Sequence, residues 1–160
     1  MRRWLETVGL AALFIQLWMA WMAVAGPHRL PNRIPTHFDA AGNPNGWGSP
    51  TVLLFLVFVA TSVYVVLTVV ARFPARFNYP VRVTARTQQR VQDLTLDMLS
   101  WFKAELASLF AVLQWGMIKA ARSGDGRLHV PVVTLFIVVL LGTGAWYLVA
   151  VLRAARTPNG

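Results

Sequence analysis

The stretch Thr51–Ala71, TVLLFLVFVATSVYVVLTVVA, decides the class of this protein. It contains no charged side chain over 21 residues. A helix of that length rises about 1.5 Å per residue and crosses the hydrocarbon core of a bilayer, which is about 30 Å thick. Ser49 and Pro50 precede it, and these residue types favour a helix N-cap and a first helical turn. The stretch therefore predicts a transmembrane helix.

Two more apolar runs have the length of a membrane span. They are Thr7–Ala25, in which Gln16 is the only strongly polar side chain, and Val130–Leu152, which opens with Pro131 in the first turn. The N-terminal Met-Arg-Arg followed by an apolar run also fits a signal peptide. Because the run is too long and too rich in tryptophan for that, we expect a retained helix.

A fourth run, Leu94–Met117, is interrupted by Asp97, Lys103 and Glu105. Each charge costs roughly 2.5–3.5 kcal/mol at the bilayer centre, so this helix needs shielding by neighbours. Helical periodicity places Asp97 and Glu105 on one face, which we expect to line the bundle. Lys103 lies on the opposite face and should reach towards the membrane surface or contact a partner protein. The predicted fold is an all-α integral membrane protein, a bundle of four transmembrane helices with an ordered extracytoplasmic loop between helices 1 and 2.

Composition supports the membrane assignment. Hydrophobic residues make up 56% of the chain and charged residues 13%, which excludes an ordinary soluble domain. The absence of cysteine excludes disulfides and thiolate metal sites. The net charge of +9 is explained by topology rather than by nucleic acid, because nine loop cations fall on one predicted side and five on the other. This asymmetry predicts a multi-pass protein of the cell (plasma or inner) membrane with both termini in the cytoplasm.

The chain divides into three predicted segments. Residues 1–72 form a two-span unit with a motif loop at 26–50, residues 73–93 an Arg-rich cytoplasmic connection with an amphipathic helix, and residues 94–160 the last two spans and a short cytoplasmic tail. Arg82, Arg86 and Arg90 repeat every four residues and form one helical stripe. Such a stripe binds anionic lipid headgroups or, in the simpler interpretation, only sets the orientation of the chain.

The loop after the first span contains the most specific motif, Leu30–Ser49, LPNRIPTHFDAAGNPNGWGS. Its prolines stiffen the chain, and Gly42 and Gly46 supply positions where φ can be positive. Asn43–Gly46 is a predicted turn. We therefore expect an ordered loop.

The pattern LPxxIPxHFxxxGxPxGWGS resembles the N-terminal domain, of unknown function, of SdpI-type membrane proteins, which give bacteria immunity to a secreted killing peptide. The resemblance implies that the first helix, the loop and the second helix form one shared unit. It also implies a protective or signalling role towards an extracytoplasmic peptide.

The candidate residues that bind a ligand or organise the loop are Arg33, His37, Asp39, Gly42, Gly46 and Trp47. His37 has two ring nitrogens and can hold the loop through two hydrogen bonds. Alternatively, it recognises a ligand together with its polar and aromatic neighbours. The weakest hypothesis is a metal site, since no ligand spacing supports it. Its ligands would be His37 and Asp39 together with residues on the same predicted side, His28, Asp125 and His129. No cofactor is expected, and metal binding is left open.

Asp97 and Glu105 are the candidate polar residues within the membrane. Carboxylates in a bundle relay protons, bind a cation or act as ion-pair partners, and Gln16 is a candidate partner for Glu105. No nucleophile with a supporting base and no cofactor fingerprint is found, which argues against an enzyme.

The leading function is a non-enzymatic binding, immunity or signalling protein. The alternative is a transport or proton-coupled accessory subunit of a membrane complex, and a loop metalloenzyme ranks last. The expected partners are the lipid bilayer, a peptide ligand or a membrane protein, and not nucleic acid.

Overall fold

The computed structural model of the chain describes residues 1–79, 83–123 and 126–156. Four α-helices dominate it, and a two-stranded antiparallel sheet lies between the first two. In chain order the elements are α1 (Arg2–Val24), β1 (Ile34–Phe38), β2 (Pro44–Gly48), α2 (Val52–Val70), a short 3-10 helix (Pro74–Arg76), α3 (Gln88–Arg122) and α4 (Val130–Arg156).

Three helices, α1, α2 and α4, are long and apolar enough to cross a membrane. Large apolar side chains on them face outward, such as Phe14, Phe58 and Leu141, each about two-thirds exposed. Apolar surface on this scale is typical of helices that contact lipid or partner proteins. The prediction of a mostly helical chain with apolar helices of membrane-spanning length is confirmed for these three helices. α3 is longer, at 35 residues, but carries more polar side chains.

α3 is the central helix, and α1, α2 and α4 pack around it. Arg2 at the start of α1 bonds Asp97 near the start of α3, while Arg122 at the end of α3 donates to the backbone carbonyl of His28, just after α1. α1 and α3 therefore run parallel. α4 runs antiparallel to α3, since Val91 packs against Val151 near the end of α4.

The molecule consequently has two distinct ends. The terminal end holds the start of α1, the end of α4 and residues 71–79 and 83–87. The hairpin end holds the two strands and residues 126–129.

Lys103 is buried, with only 4% of its surface exposed, so its predicted position at the membrane surface or against a partner is wrong. The cause is Glu6 of α1, whose carboxylate accepts a hydrogen bond from the Lys103 ammonium. The face of α3 that carries Lys103 is thus covered by α1, which supplies an acidic partner for the lysine.

The predicted arginine stripe is not one continuous helical face. α3 begins at Gln88, so Arg90 lies in its first turn, whereas Arg86 lies in the turn before it. Thr84 and Thr87 bond each other through side-chain and backbone atoms there, and such local bonds compete with helix formation. Arg82 lies outside the described residues.

The motif loop contains a β-hairpin that the sequence reading did not predict, in which Ile34 pairs with Gly48 and Phe38 with Pro44. Its turn spans Asp39–Asn43 rather than Asn43–Gly46. The Asp39 carboxylate accepts hydrogen bonds from the backbone N–H groups of Ala41 and Asn43 and closes the chain earlier than expected. Gly42 adopts the positive φ of this turn, at 82°, and Gly46 lies in a strand.

Candidate binding surface and intramembrane polar sites

The base of the hairpin is packed into the helices. Ile34 is fully buried, and its cluster draws on α1, α2 and α3 as well as the loop. The other buried members are Ala20, Ala23, Leu30, Leu53, Met117 and Ile118. Burying an isoleucine side chain contributes roughly 1.5–3 kcal/mol. The hairpin is thereby anchored to three helices at once.

The turn of the hairpin is tied to the connection between α3 and α4. The Leu128 N–H donates to the Gly42 carbonyl at 2.9 Å. A Cβ atom at position 42 would lie 2.3 Å from the Leu128 carbonyl oxygen, and the positive φ of Gly42 disfavours any L side chain. Only glycine fits both conditions.

Gly46 has a different role from the one expected. A Cβ atom there would lie 2.8 Å from the Cβ of His37 on the paired strand. Gly46 therefore allows the two strands to approach closely, and it is a packing requirement rather than a turn.

Three side chains on the strands of the hairpin are exposed, and we call the surface they form the outer hairpin face: His37, Asn45 and Trp47. The His37 ring nitrogen Nδ1 is hydrogen-bonded to Oδ1 of Asn45 at 2.5 Å. The Trp47 side chain is half exposed, at 50%. Arg33, immediately before β1, is also exposed. The face thus combines an imidazole, an amide and an indole on an anchored backbone.

Asp39 belongs to the turn instead of the outer hairpin face. Hydrogen bonds from the side chain and backbone of Asn43, and from the Ala41 N–H, hold the pKa of the Asp39 carboxyl below its ordinary value. Its carboxylate oxygens are therefore occupied in shaping the turn.

The described residues contain no cluster of side chains that could form the predicted loop metal site. Within residues 1–79, 83–123 and 126–156, no three His, Cys, Asp or Glu side chains are placed to share a metal ion. Asp125, one of the hypothetical ligands, lies outside those ranges.

A polar network joins α1, α2 and α3 inside the bundle, between its middle and the terminal end. The Lys103 ammonium donates to Glu6, the Tyr64 hydroxyl donates to the other Glu6 oxygen at 2.5 Å, and Lys103 also reaches the Thr68 hydroxyl at 3.4 Å. The ammonium lies 5.2 Å from the centroid of the Tyr64 ring, within cation–π range. The sequence analysis did not single out Glu6, because it lies just before the predicted span Thr7–Ala25. It is the lone acidic residue of α1 and would have indicated a partner for Lys103.

Asp97 lies at the terminal end, where its Oδ1 accepts a hydrogen bond from Nε of Arg2 at 2.5 Å. Arg2 also bonds the side chain and carbonyl of Asp93. Asp97 is therefore an ion-pair partner that connects α1 to α3.

Glu105 has a different partner from the one expected. The Thr143 hydroxyl of α4 donates to Oε1 of Glu105 at 2.6 Å. Gln16 instead donates to the Ala107 carbonyl, and Gln114 donates to the carbonyl of Gln16. Oε2 of Glu105 is buried and has no hydrogen-bond partner among the described residues.

One comparison with known proteins gives a result that fits this architecture. A family model described as a domain of unknown function (DUF1648) matches residues 12–61, which include most of α1, the hairpin and the first half of α2. No curated protein and no solved structure matches the chain. Over residues 12–61 the chain is similar to this domain of unknown function, and its mostly helical fold contains three helices long and apolar enough to span a membrane.

Proposed function

We propose that this protein is a non-enzymatic binding protein of the cell membrane that recognises an extracytoplasmic peptide through the outer hairpin face, in an immunity or signalling role. The observation that carries the proposal is the contrast between the buried and the exposed positions of the hairpin. Ile34 and Pro35 are buried against the bundle, whereas His37, Asn45 and Trp47 face outward. Polar and aromatic side chains held on an anchored backbone lose little entropy when they bind a partner.

The family match supports this choice of surface. The matched domain occurs in SdpI-like proteins, and residues 12–61 contain the whole hairpin. Exposed cations surround the hairpin end, namely Arg29, Arg33 and Arg122. They favour a peptide that carries carboxylates.

The proposal includes four spans with both termini in the cytoplasm. It is supported by the excess of cations at the terminal end and by the internal pairing of Asp97 and Lys103 on α3, which reduces the cost of these two charges in a bilayer. At the terminal end, Arg86 and Arg90 are exposed and suited to anionic lipid headgroups.

A photo-crosslinking amino acid at position 47 tests the binding proposal in whole cells. Cells that carry the modified protein are illuminated in medium conditioned by the source organism, and crosslinked peptides are identified by mass spectrometry. The matched control carries the crosslinker at Phe14, an equally aromatic position on the exposed surface of α1. We expect one secreted peptide to be trapped at position 47 and not at position 14.

His37→Ala provides the functional arm of the same test. The variant should insert into the membrane at wild-type level, because the apolar helices determine insertion, and should lose crosslinking and any protection of cells against the trapped peptide. If His37→Ala and Trp47→Ala both bind and protect like the wild type, the outer hairpin face is not the binding surface.

A second candidate function, a transport or proton-coupled accessory subunit, is favoured by one observation. Oε2 of Glu105 is buried without a partner within the described bundle, and ionisable groups in such positions are commonly functional. Proteoliposomes with an internal pH dye test it: an imposed gradient should dissipate faster with the wild type than with Glu105→Gln. Equal rates would remove this candidate.

A further inference from the structure

A groove of about 510 Å³ lies between α3 and α4. We call it the α3–α4 groove. The lining residues that matter are Trp101, Glu105, Gly142, Thr143, Trp146 and Tyr147. It is separate from the hairpin, which lies at the far end of the helices.

The polar pair in this groove lies halfway along both helices. Glu105 is the middle residue of Gln88–Arg122, and Thr143 is the middle residue of Val130–Arg156. If both helices cross the bilayer, the pair lies near its midplane. An ionised carboxylate at that depth is costly unless it is paired with a positive charge.

The other carboxylates on the faces between the helices already have cationic partners. Glu6 is paired with Lys103 and Asp97 with Arg2. Within the described residues, the carboxylate of Glu105 has one hydrogen bond, from Thr143, and its second oxygen has no partner. Among the described residues, the Glu105 carboxylate at the groove therefore has no cationic partner.

The walls of the groove are aromatic and open to lipid. Trp146 is 70% exposed, and Trp101 and Tyr147 complete an aromatic lining. Aromatic faces attract organic cations by roughly 0.5–2 kcal/mol each. A Cβ atom at Gly142 would meet nothing within 4 Å, so the floor beside Thr143 is open space.

We propose that the α3–α4 groove binds a hydrophobic organic cation, such as a quaternary ammonium or phosphonium compound, that enters from the bilayer. Its positive charge lies against the Glu105 carboxylate, and its apolar substituents pack on Trp101, Trp146 and Tyr147. A small inorganic cation fits less well, because it requires several oxygen ligands and the groove offers mainly aromatic carbon. This proposal names a ligand class for the second candidate function, the transport or proton-coupled subunit, and its biological role rests on that function. It does not depend on the hairpin.

Equilibrium binding of tetraphenylphosphonium to the full-length protein in detergent tests the proposal. The wild type should bind it saturably, and Glu105→Gln should bind at least tenfold more weakly. Asp93→Asn is the matched control, because it also removes one carboxylate charge from α3, but at an exposed position at the terminal end. It should bind within about twofold of the wild type. Neutral triphenylphosphine oxide should show no dependence on Glu105.

A steric variant keeps the test decisive if Glu105→Gln fails to fold. Gly142→Leu fills the open space beside Thr143 while the carboxylate remains. It should also weaken tetraphenylphosphonium binding at least tenfold, with no loss of melting temperature. The proposal is overturned if the wild type shows no saturable binding, or if both groove variants bind tetraphenylphosphonium as tightly as the wild type. Proton flux that depends on Glu105 without tetraphenylphosphonium binding would overturn only this ligand class and leave the transport candidate standing.

Discussion

The ion pair between Lys103 and Glu6 is buried unequally. The Lys103 side chain is 4% exposed, whereas that of Glu6 is 36% exposed. Removing one partner of a buried pair leaves the other charge without compensation. The cost depends on which charge is left. Removing Glu6 leaves an ammonium that is almost fully buried, whereas removing Lys103 leaves a carboxylate that is partly exposed.

We expect Glu6→Gln to destabilise the bundle more than Lys103→Met. Glu6→Gln retains the hydrogen bond to Tyr64 but strands the ammonium, at a cost approaching about 3–5 kcal/mol. Lys103→Met leaves a carboxylate that water can reach, and the double variant should be more stable than Glu6→Gln alone. Thermal unfolding in detergent measures all three. A larger loss for Lys103→Met would contradict the unequal burial.

The same substitution, glycine to alanine, should have opposite effects on stability at Gly42 and at Gly142. Gly42→Ala should destabilise the hairpin, since an L residue at φ 82° costs about 1–2 kcal/mol and its Cβ would overlap the Leu128 carbonyl. Gly142→Ala lies in a helix with open space around it and should stabilise by roughly 0.5–1 kcal/mol. Melting temperatures should therefore move in opposite directions, and a shift of the same sign in both would contradict the close contact at Gly42.

The error about Lys103 shows what a single helix pattern leaves out. The periodicity of α3 describes which side chains share a face, but it does not say which helix covers that face. Asp97 and Glu105 were expected to line the bundle, and they bond Arg2 and Thr143 of neighbouring helices. The partner of Lys103 lies 97 positions earlier in the chain, and only the parallel packing of α1 and α3 brings them together.

At the scale of the elements, the hairpin contributes a pH-dependent turn. The folded-state pKa of Asp39 is lowered, first by the Asn43 side-chain hydrogen bond, so its ionised form is the stabilised one. The stabilisation of the fold by ionised Asp39 is complete above the pKa of this carboxyl in the unfolded chain, about 3.9. It is lost as the pH falls through the lower pKa of the folded chain.

We therefore expect the hairpin to loosen below about pH 4, as the Asp39 carboxylate becomes protonated. Fluorescence of an otherwise tryptophan-free variant that retains Trp47, followed from pH 7 to pH 2, measures this. Asp39→Asn removes the titrating group and should give a profile without that transition. An identical transition in both proteins would assign it to another group.

Hydropathy identifies α2 and α4 almost to their ends, because long uncharged runs have few alternatives. The hairpin was missed because IPTHF and PNGWG lack the alternating β-branched and aromatic pattern of strands. Its strands depend on tertiary anchoring of Ile34 and on the turn bonded by Asp39. The Asn-Gly pair at 45–46 suggested a turn that the strand pairing overrides.

At the scale of the whole molecule, the absence of native cysteine permits a direct test of topology. Cysteines introduced at Asn45 and Arg122 should both react with an impermeant thiol reagent in intact cells, and a cysteine at Gln88 should not. All three positions are exposed. Labelling at Gln88 alone would reverse the orientation, and labelling at Asn45 but not Arg122 would show that α3 does not cross.

The central place of α3 has a consequence for how the chain is made. The least apolar of the four long helices depends on Glu6 and Arg2, both near the start of the chain, to neutralise its charges. During synthesis, α3 would therefore leave the translocon towards a helix that is already in the bilayer. A fragment that begins after α1 should emerge with an unpaired lysine and aspartate and become a substrate for membrane proteases, so the first helix acts as an assembly template for the third.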